Sequence, residues 1–234
     1  MTDQHREAPG SGAMFDAVSP RYDLLNRVLS FGLDQSWRRA VVAALKLGPE
    51  AAVLDLATGT GDLAVALAKQ EANVVGLDPS RGMLAGCRRK LGAAGVGARV
   101  TLVQGDAQSL PFEDQRFDAV TMAFGIRNVP DRGRALTEAR RVLKPGGQMA
   151  VLELTEPRGR LLGRLARFHV GVLVPRLGSL LSSPRAYRYL PKSIARFPSP
   201  EAFADEVQGA GFFPPTRRPF AFGACHLFLA ANPS

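Results

Sequence analysis

Between residues 52 and 154, short apolar runs recur along the chain: AVLDLA (52–57), NVVGLD (73–78), RVTLVQGD (99–106), FDAVTMAF (117–124) and GQMAVLEL (147–154). AVLDL, VVGL and AVTMAF are almost continuously apolar, the pattern of strands covered on both faces. The segments between them have helical spacing and predict helices over 61–69, 80–91 and 131–143, with a short helix or turn near Leu110. Strand and helix in alternation predict an α/β fold with a mostly parallel sheet and helices on both faces. Further on, EAFADEVQGAG (201–211) predicts another helix, while FFPPTRR (212–218) and HLFLAA (226–231), joined by PFAFGAC, predict an antiparallel hairpin at one sheet edge. Upstream, residues 14–50 read as helical pieces broken at Ser19-Pro20 and at Gly32, behind a tail rich in Gly, Ser and Pro.

At 234 residues, 46% of them hydrophobic and 22% charged, the chain suits one core. We read 1–234 as a single domain with an N-terminal helical cap (13–47) and a helical insertion (157–200). The insertion changes the picture of charge. It carries nine basic residues and no acid, and the chain's whole net charge is +9, so the rest of the chain is balanced. In RGRLLGRLARFHVGV, Arg160, Arg164 and Arg167 share one helical stripe, and Leu161, Leu165, Phe168 and Val172 share the next. Such a basic amphipathic helix suits an anionic membrane surface; packing of the apolar stripe on the sheet, or on a second copy in a homodimer, is the alternative. No run approaches the roughly 20 apolar residues that span a bilayer, and the start MTDQHREAPGSG lacks a secretory pattern, so a cytoplasmic protein, peripheral to the membrane, is expected. Two cysteines, Cys87 and Cys225, without ligand spacing support neither a disulfide framework nor a metal site. His169 and His226 read as structural, although His169, in the insertion, could serve as a base.

The first apolar run leads straight into Asp55-Leu56-Ala57-Thr58-Gly59-Thr60-Gly61-Asp62. A glycine-rich turn between strand and helix lets a ligand approach backbone N–H groups at the positive end of a helix. Gly59, Gly61 and Ala64 also fit the dinucleotide fingerprint, with Asp78 about 20 residues on, so a NAD-dependent oxidoreductase is a reading in its own right. Asp106, at the third strand end, argues for one adenosine instead. Asp78 can accept ribose hydroxyls, and Asp106 with the N–H of Ala107 can take the adenine edge. A sulfonium cofactor needs no pyrophosphate clamp, which agrees with Asp62 behind the loop.

The strings MFDAVSPRYDLLNRVLSFG, VLDLATGTGDLA, VVGLDPSRGML, GDAQSLPFEDQRFDAVTMAFGIRNVPD and ARRVLKPGG together resemble the S-adenosylmethionine-dependent C-methyltransferases of menaquinone and ubiquinone biosynthesis, from Met14 to about Glu156 and more weakly beyond. The resemblance implies a Rossmann-like class I methyltransferase fold, with S-adenosyl-L-methionine held by Gly59, Thr60, Gly61, Asp78, Asp106 and Ala107. It implies a reduced polyprenyl quinol substrate methylated on a ring carbon: demethylmenaquinol, or the equivalent benzoquinol. Arg127 and Asn128 of FGIRNVP then hold the quinol oxygen, and Tyr22 of RYDLLN reaches over the pocket. Arg127 stabilises an oxyanion, since arginine stays protonated. Ala57 stands where a first loop glycine is common. Nucleic acid is not expected as a partner, because aromatic interleaving in the basic segment is thin.

Overall fold

A computed structural model describes residues 30–156 and 184–233 together with residues 16, 23 and 27, and for 184–189 the backbone alone. Tyr22, the Ser19-Pro20 break and the basic amphipathic stretch 160–172 lie outside the described residues. The elements in order are α1 (Leu33–Leu45), β1 (Ala52–Leu56), α2 (Asp62–Ala68), β2 (Asn73–Asp78), α3 (Arg81–Ala93), β3 (Val100–Gln104), β4 (Phe117–Ala123), α4 (Arg132–Val142), β5 (Leu143–Leu154), α5 (Pro184–Arg196), α6 (Pro200–Gly209), β6 (Thr216–Phe220) and β7 (Cys225–Ala231).

The seven strands form one sheet in the order β3-β2-β1-β4-β5-β7-β6. The first five are parallel, β7 runs antiparallel beside β5, and β6 closes the edge antiparallel to β7. The strand order reverses between β1 and β4, and ligands of open α/β sheets bind beyond the carboxyl ends at such a reversal. The glycine loop after β1 therefore stands at the crevice mouth. Alternating residues of each strand serve two apolar layers. Leu54, Val120, Met149, Val151 and Phe228 pack with Leu136 of α4 and Phe203 of α6. Val53, Val74, Ala150 and Leu227 pack with Trp37 and Val41 of α1 and Leu63 and Leu67 of α2. Several helices start at the polar residue the sequence offers: Ser80, Asp131 and Ser199 each accept a backbone N–H of the first turn, from Met83, Arg134 and Ala202.

Two elements depart from the expectation. β5 begins at Leu143 and takes in LKPGG, because the pairing jumps from Phe117↔Leu143 to Ala119↔Gln148. Gly147 sits in that irregularity, where a Cβ would meet Lys144 O at 2.9 Å and Asp118 O at 3.1 Å. β6 starts at Thr216 instead of Phe212, beyond the Pro214-Pro215 pair that lacks N–H donors, and it includes Pro219, which an edge strand tolerates. Near Leu110 the expected helix or turn is a turn, closed by an Asp106↔Ser109 bridge.

Candidate functional site: the glycine loop and the strand ends

The loop is held from below. Asp55, 1% exposed, accepts from the Thr58 hydroxyl through Oδ2 and from the Thr121 hydroxyl through Oδ1, both at 2.7 Å. Its carboxylate thus ties the loop to β4. Burial raises its pKa to about 6 from an ordinary 3.8, against the two hydroxyls that favour the charged form. A carboxyl whose folded pKa is raised contributes stability that is complete below the unfolded pKa and is lost as pH climbs through the folded value. The shift is worth about 3 kcal/mol. We expect Asp55→Asn, which cannot titrate, to gain up to that much relative to the unsubstituted chain between pH 4 and pH 7 in urea denaturation. Parallel pH curves would contradict it.

Above the loop, Asp78 receives the N–H of Gly59 on Oδ2 at 2.9 Å and the N–H of Ser80 on Oδ1 at 2.8 Å. Burial raises its pKa, the two N–H donors oppose that, and the charge of Asp16 adds to it. Gly59 and Gly61 have φ of 57° and 86°. They are needed for different reasons. A Cβ on Gly61 would lie 2.4 Å from Cys87 Sγ, so this glycine lets α3 close on the loop. A Cβ on Gly59 would meet only Ala57 O, at 3.9 Å, so here the absent side chain leaves open space beside Asp78. A cradle of this kind fits an adenosyl group, with Asp78 still able to accept ribose hydroxyls on its remaining lone pairs. Asp106 lies two residues past Gln104, the β3 partner of Asp78. It is exposed, and its carboxylate accepts from Gln108 N at 2.9 Å and from Gln108 Nε2, so it shapes its own turn. Ala107 beside it is buried.

The N-terminal cap grips this loop. Thr60 donates its hydroxyl to Asp23, and Lys90 bridges Asp23 at 2.6 Å and Asp62 at 2.5 Å. Asp16 accepts from the Ser80 hydroxyl and from Gly82 N at 2.8 Å. The Asp62 carboxylate behind the loop is thus compensated by a cation. Burial works against its charge but is outweighed by Lys90, Arg38 and Arg27, and its pKa is lowered. Thr60, expected to touch the cofactor, holds the cap through its hydroxyl.

At the ends of β4 and β5 the expected Arg127 meets an acid that the sequence reading missed, Glu153. Arg127 sits in a 3-10 turn (Ile126–Asn128), and its side chain is only 8% exposed. Its NH1 donates to Glu153 Oε1 at 2.5 Å and to Phe124 O at 2.8 Å, while its backbone N–H donates to Glu153 Oε2. Glu153 is fully buried near the end of β5. A lone acid inside the apolar run MAVLEL was the available signal, since a carboxylate buried on a covered strand needs a cation. Asn128 shares the turn and is half-buried. Ala57 fits the loop in a left-handed conformation, φ 49°, and its methyl occupies the place of a side chain on Gly125, whose Cβ would lie 2.6 Å from it.

With this geometry in place, similarity to known proteins becomes informative. Residues 2–232 match the ubiE/COQ5 methyltransferase family. The chain is 43% identical over 218 residues to the ubiquinone/menaquinone biosynthesis C-methyltransferase UbiE of Geobacter sulfurreducens, covering 92% of this chain and 85% of that one. It is 50% identical over 203 residues to the demethylmenaquinone methyltransferase of Thermus thermophilus, covering 85% and 91%. Among solved structures, a SAM-dependent methyltransferase from Aquifex aeolicus superposes with a TM-score of 0.64 at 19% identity over 86% of this chain and 92% of that one, a likeness of fold. These similarities settle the choice between a sulfonium cofactor and NAD in favour of S-adenosylmethionine, and the Rossmann-like class I fold is as expected. Carrying the glycine loop, the Asp78 cradle and the 43–50% identity together, the chain belongs to the ubiE/COQ5 methyltransferase family.

Proposed function

We propose that this chain transfers the methyl group of S-adenosylmethionine to a ring carbon of demethylmenaquinol, giving menaquinol, at the surface of an anionic membrane. The observation that carries the reading is the buried Arg127–Glu153 pair on the same sheet edge as the Gly59–Asp78 cradle, in a chain half identical to a demethylmenaquinone methyltransferase. The cofactor, when bound by Gly59, Thr60, Gly61, Asp78, Asp106 and Ala107, supplies an electrophilic methyl. The protein must then make a ring carbon nucleophilic. A phenolate spreads its charge to the ortho carbon, so activation means removing the hydroxyl proton and stabilising the oxygen left behind. Arg127 supplies the cationic field, with Glu153 fixing its direction, and Asn128 and Tyr22 complete the acceptor side. Alignment of donor and acceptor can contribute about 7–11 kcal/mol, which suits a site with no strong acid.

A polyprenyl substrate resides in the bilayer, and no helix among the described residues is long and apolar enough to cross one. Docking falls to the stripe of Arg160, Arg164 and Arg167, with its neighbours Leu161, Leu165, Phe168 and Val172. Support comes from large apolar side chains exposed in the described part: Phe31 and Leu33 at the start of α1, and Phe222 in the β6–β7 turn beside the end of β5. Each basic residue near anionic lipid contributes about 1 kcal/mol.

The test is turnover with isotopically labelled methyl donor and demethylmenaquinol or the demethylated benzoquinol, in vesicles with or without anionic lipid. We expect label on menaquinol, faster with anionic lipid, and loss of that acceleration when Arg160, Arg164 and Arg167 are changed to Glu. Label on the benzoquinol alone would favour the second substrate, which the name of the Geobacter relative also covers. No label on either quinol would end the reading.

A further inference from the structure

Methylation of a quinol carbon needs a proton acceptor, and the groups so far described do not supply one. Arginine stays protonated. Glu153 is occupied by Arg127 and by the Leu154 N–H. Asp55 lies beneath the loop, bonded to two hydroxyls. Burial pushes the Cys87 thiol up to about 12 and that of Cys225 well above its ordinary value.

His226 is different. It lies on β7 as the register partner of Glu153. Directly opposed antiparallel residues place their Cβ atoms about 5 Å apart on one face of the sheet, so the imidazole stands next to the Arg127–Glu153 pair at the carboxyl end of β5. Its Nδ1 is 2.7 Å from the Thr155 hydroxyl oxygen, and that hydroxyl donates to Gly223 O at 2.8 Å. A hydroxyl has one proton. Both contacts can be hydrogen bonds only if Nδ1 carries the imidazole proton and Thr155 accepts it, which leaves the lone pair on Nε2. Thr155 is 1% exposed and is further fixed by its N–H to Ala224 O, so this arrangement is locked. Nε2 has no hydrogen bond to any described residue, and the residue is half-buried. The charges acting on it are Glu201 from α6 and Arg217 from β6, paired at 2.7 Å, while Glu153 is its register partner on β5. Burial holds the imidazole below its ordinary pKa of 6.5; Glu201 opposes this and Arg217 adds to it.

We propose that His226, oriented by Thr155, is the catalytic base that accepts the quinol hydroxyl proton on Nε2. This rests on the quinol reading above. The proton passes from the hydroxyl oxygen to Nε2. The ring carbon then forms its bond to the methyl group as the methyl–sulfur bond breaks, leaving a neutral thioether. Finally the ring carbon loses its hydrogen as a proton to water while the imidazolium returns its proton to the oxygen, so one proton in all reaches solvent and His226 is neutral again.

The experiment is the pH profile of kcat for the unsubstituted protein and for His226→Asn, with S-adenosylhomocysteine affinity and melting temperature measured alongside. The unsubstituted protein should lose activity at a pH below the ordinary imidazole value of 6.5, where a neutral His held down by burial gains its proton. His226→Asn should lower kcat by about 100-fold or more, flatten that acid limb, and leave S-adenosylhomocysteine affinity within about twofold. A kcat within about threefold and an unchanged acid limb would overturn the proposal. A second readout needs no folded variant at position 226 and no substrate. In the His5→Gln, His169→Gln double variant, His226 is the only imidazole, and its 15N spectrum at neutral pH should show Nδ1 protonated and Nε2 bare. The opposite tautomer would overturn the proposal even if the quinol reading stood. Absence of turnover in the unsubstituted protein with either quinol would fell the quinol reading instead, and with it the role in catalysis.

Discussion

Replacing Asp78 with asparagine is expected to weaken S-adenosylmethionine binding by at least about 100-fold, while the chain remains folded. The carboxylate holds the N–H groups of Gly59 and Ser80 with its two oxygens, so it shapes the loop before any ligand arrives. Asparagine turns one acceptor into an NH2 donor facing an N–H, and it removes a charged acceptor from the ribose hydroxyls. Hydrogen bonds to a charged group contribute about 1.5–3 kcal/mol each, so losing two corresponds to a factor of 100 or more in Kd. Asp106→Asn provides the contrast. That carboxylate is exposed and already engaged by Gln108, so a loss of about 10-fold is expected, the scale of one hydrogen bond. Calorimetric titration with S-adenosylhomocysteine measures both. An Asp78→Asn variant binding within fivefold of the unsubstituted protein would show that the adenosyl group lies elsewhere, and would remove the physical basis for the site.

The features legible in the sequence were those with a strong local signature. Continuous apolar runs gave the parallel strands because burial on both faces leaves no alternation to confuse with a helix. The loop at 55–62 followed from glycines at a strand–helix junction, and the edge hairpin from two late β-rich runs. What stayed hidden depends on partners distant in the chain. Lys90 looks like any helical lysine until α3 brings it to Asp62 and Asp23, twenty-eight residues back and further. His226 and Thr155 are 71 residues apart, and nothing local says that the threonine fixes the imidazole tautomer. The β6 boundary was lost for another reason. Pro214 and Pro215 carry no N–H, yet Pro219 is accepted because β6 pairs on one side only, and edge position is a property of the whole sheet. Glu153 could have been found, since an acid in the interior of a covered strand is itself a demand for a cation.

Breaking the Arg127–Glu153 pair should have the largest effect on the folded chain, and repairing its stability should not restore catalysis. Glu153→Gln leaves a guanidinium that is only 8% exposed without its counter-charge. Removing one partner of a buried pair costs about 3–5 kcal/mol, and in a domain of this size each kcal/mol lowers Tm by about 2–4 °C. A fall of roughly 6–20 °C is therefore expected, with turnover reduced at least about 100-fold because NH1 keeps only neutral acceptors, Phe124 O and the amide oxygen, in place of the carboxylate that orients it. Arg127→Leu alone should be comparably destabilising, since it strands the carboxylate instead. The double variant Arg127→Leu, Glu153→Leu replaces both charges by apolar groups, and buried pairs exchanged in this way often regain stability within about 1–2 kcal/mol of the original. If the pair served the fold alone, the double variant would recover activity along with Tm. If Arg127 stabilises the developing phenolate, Tm recovers while kcat stays at least about 100-fold down and S-adenosylhomocysteine affinity is unchanged. Thermal melts, calorimetry and turnover on the same three proteins separate the two roles. Recovery of kcat in the double variant would assign Arg127 to scaffolding and leave oxyanion stabilisation to Asn128 and the backbone of the Ile126–Asn128 turn.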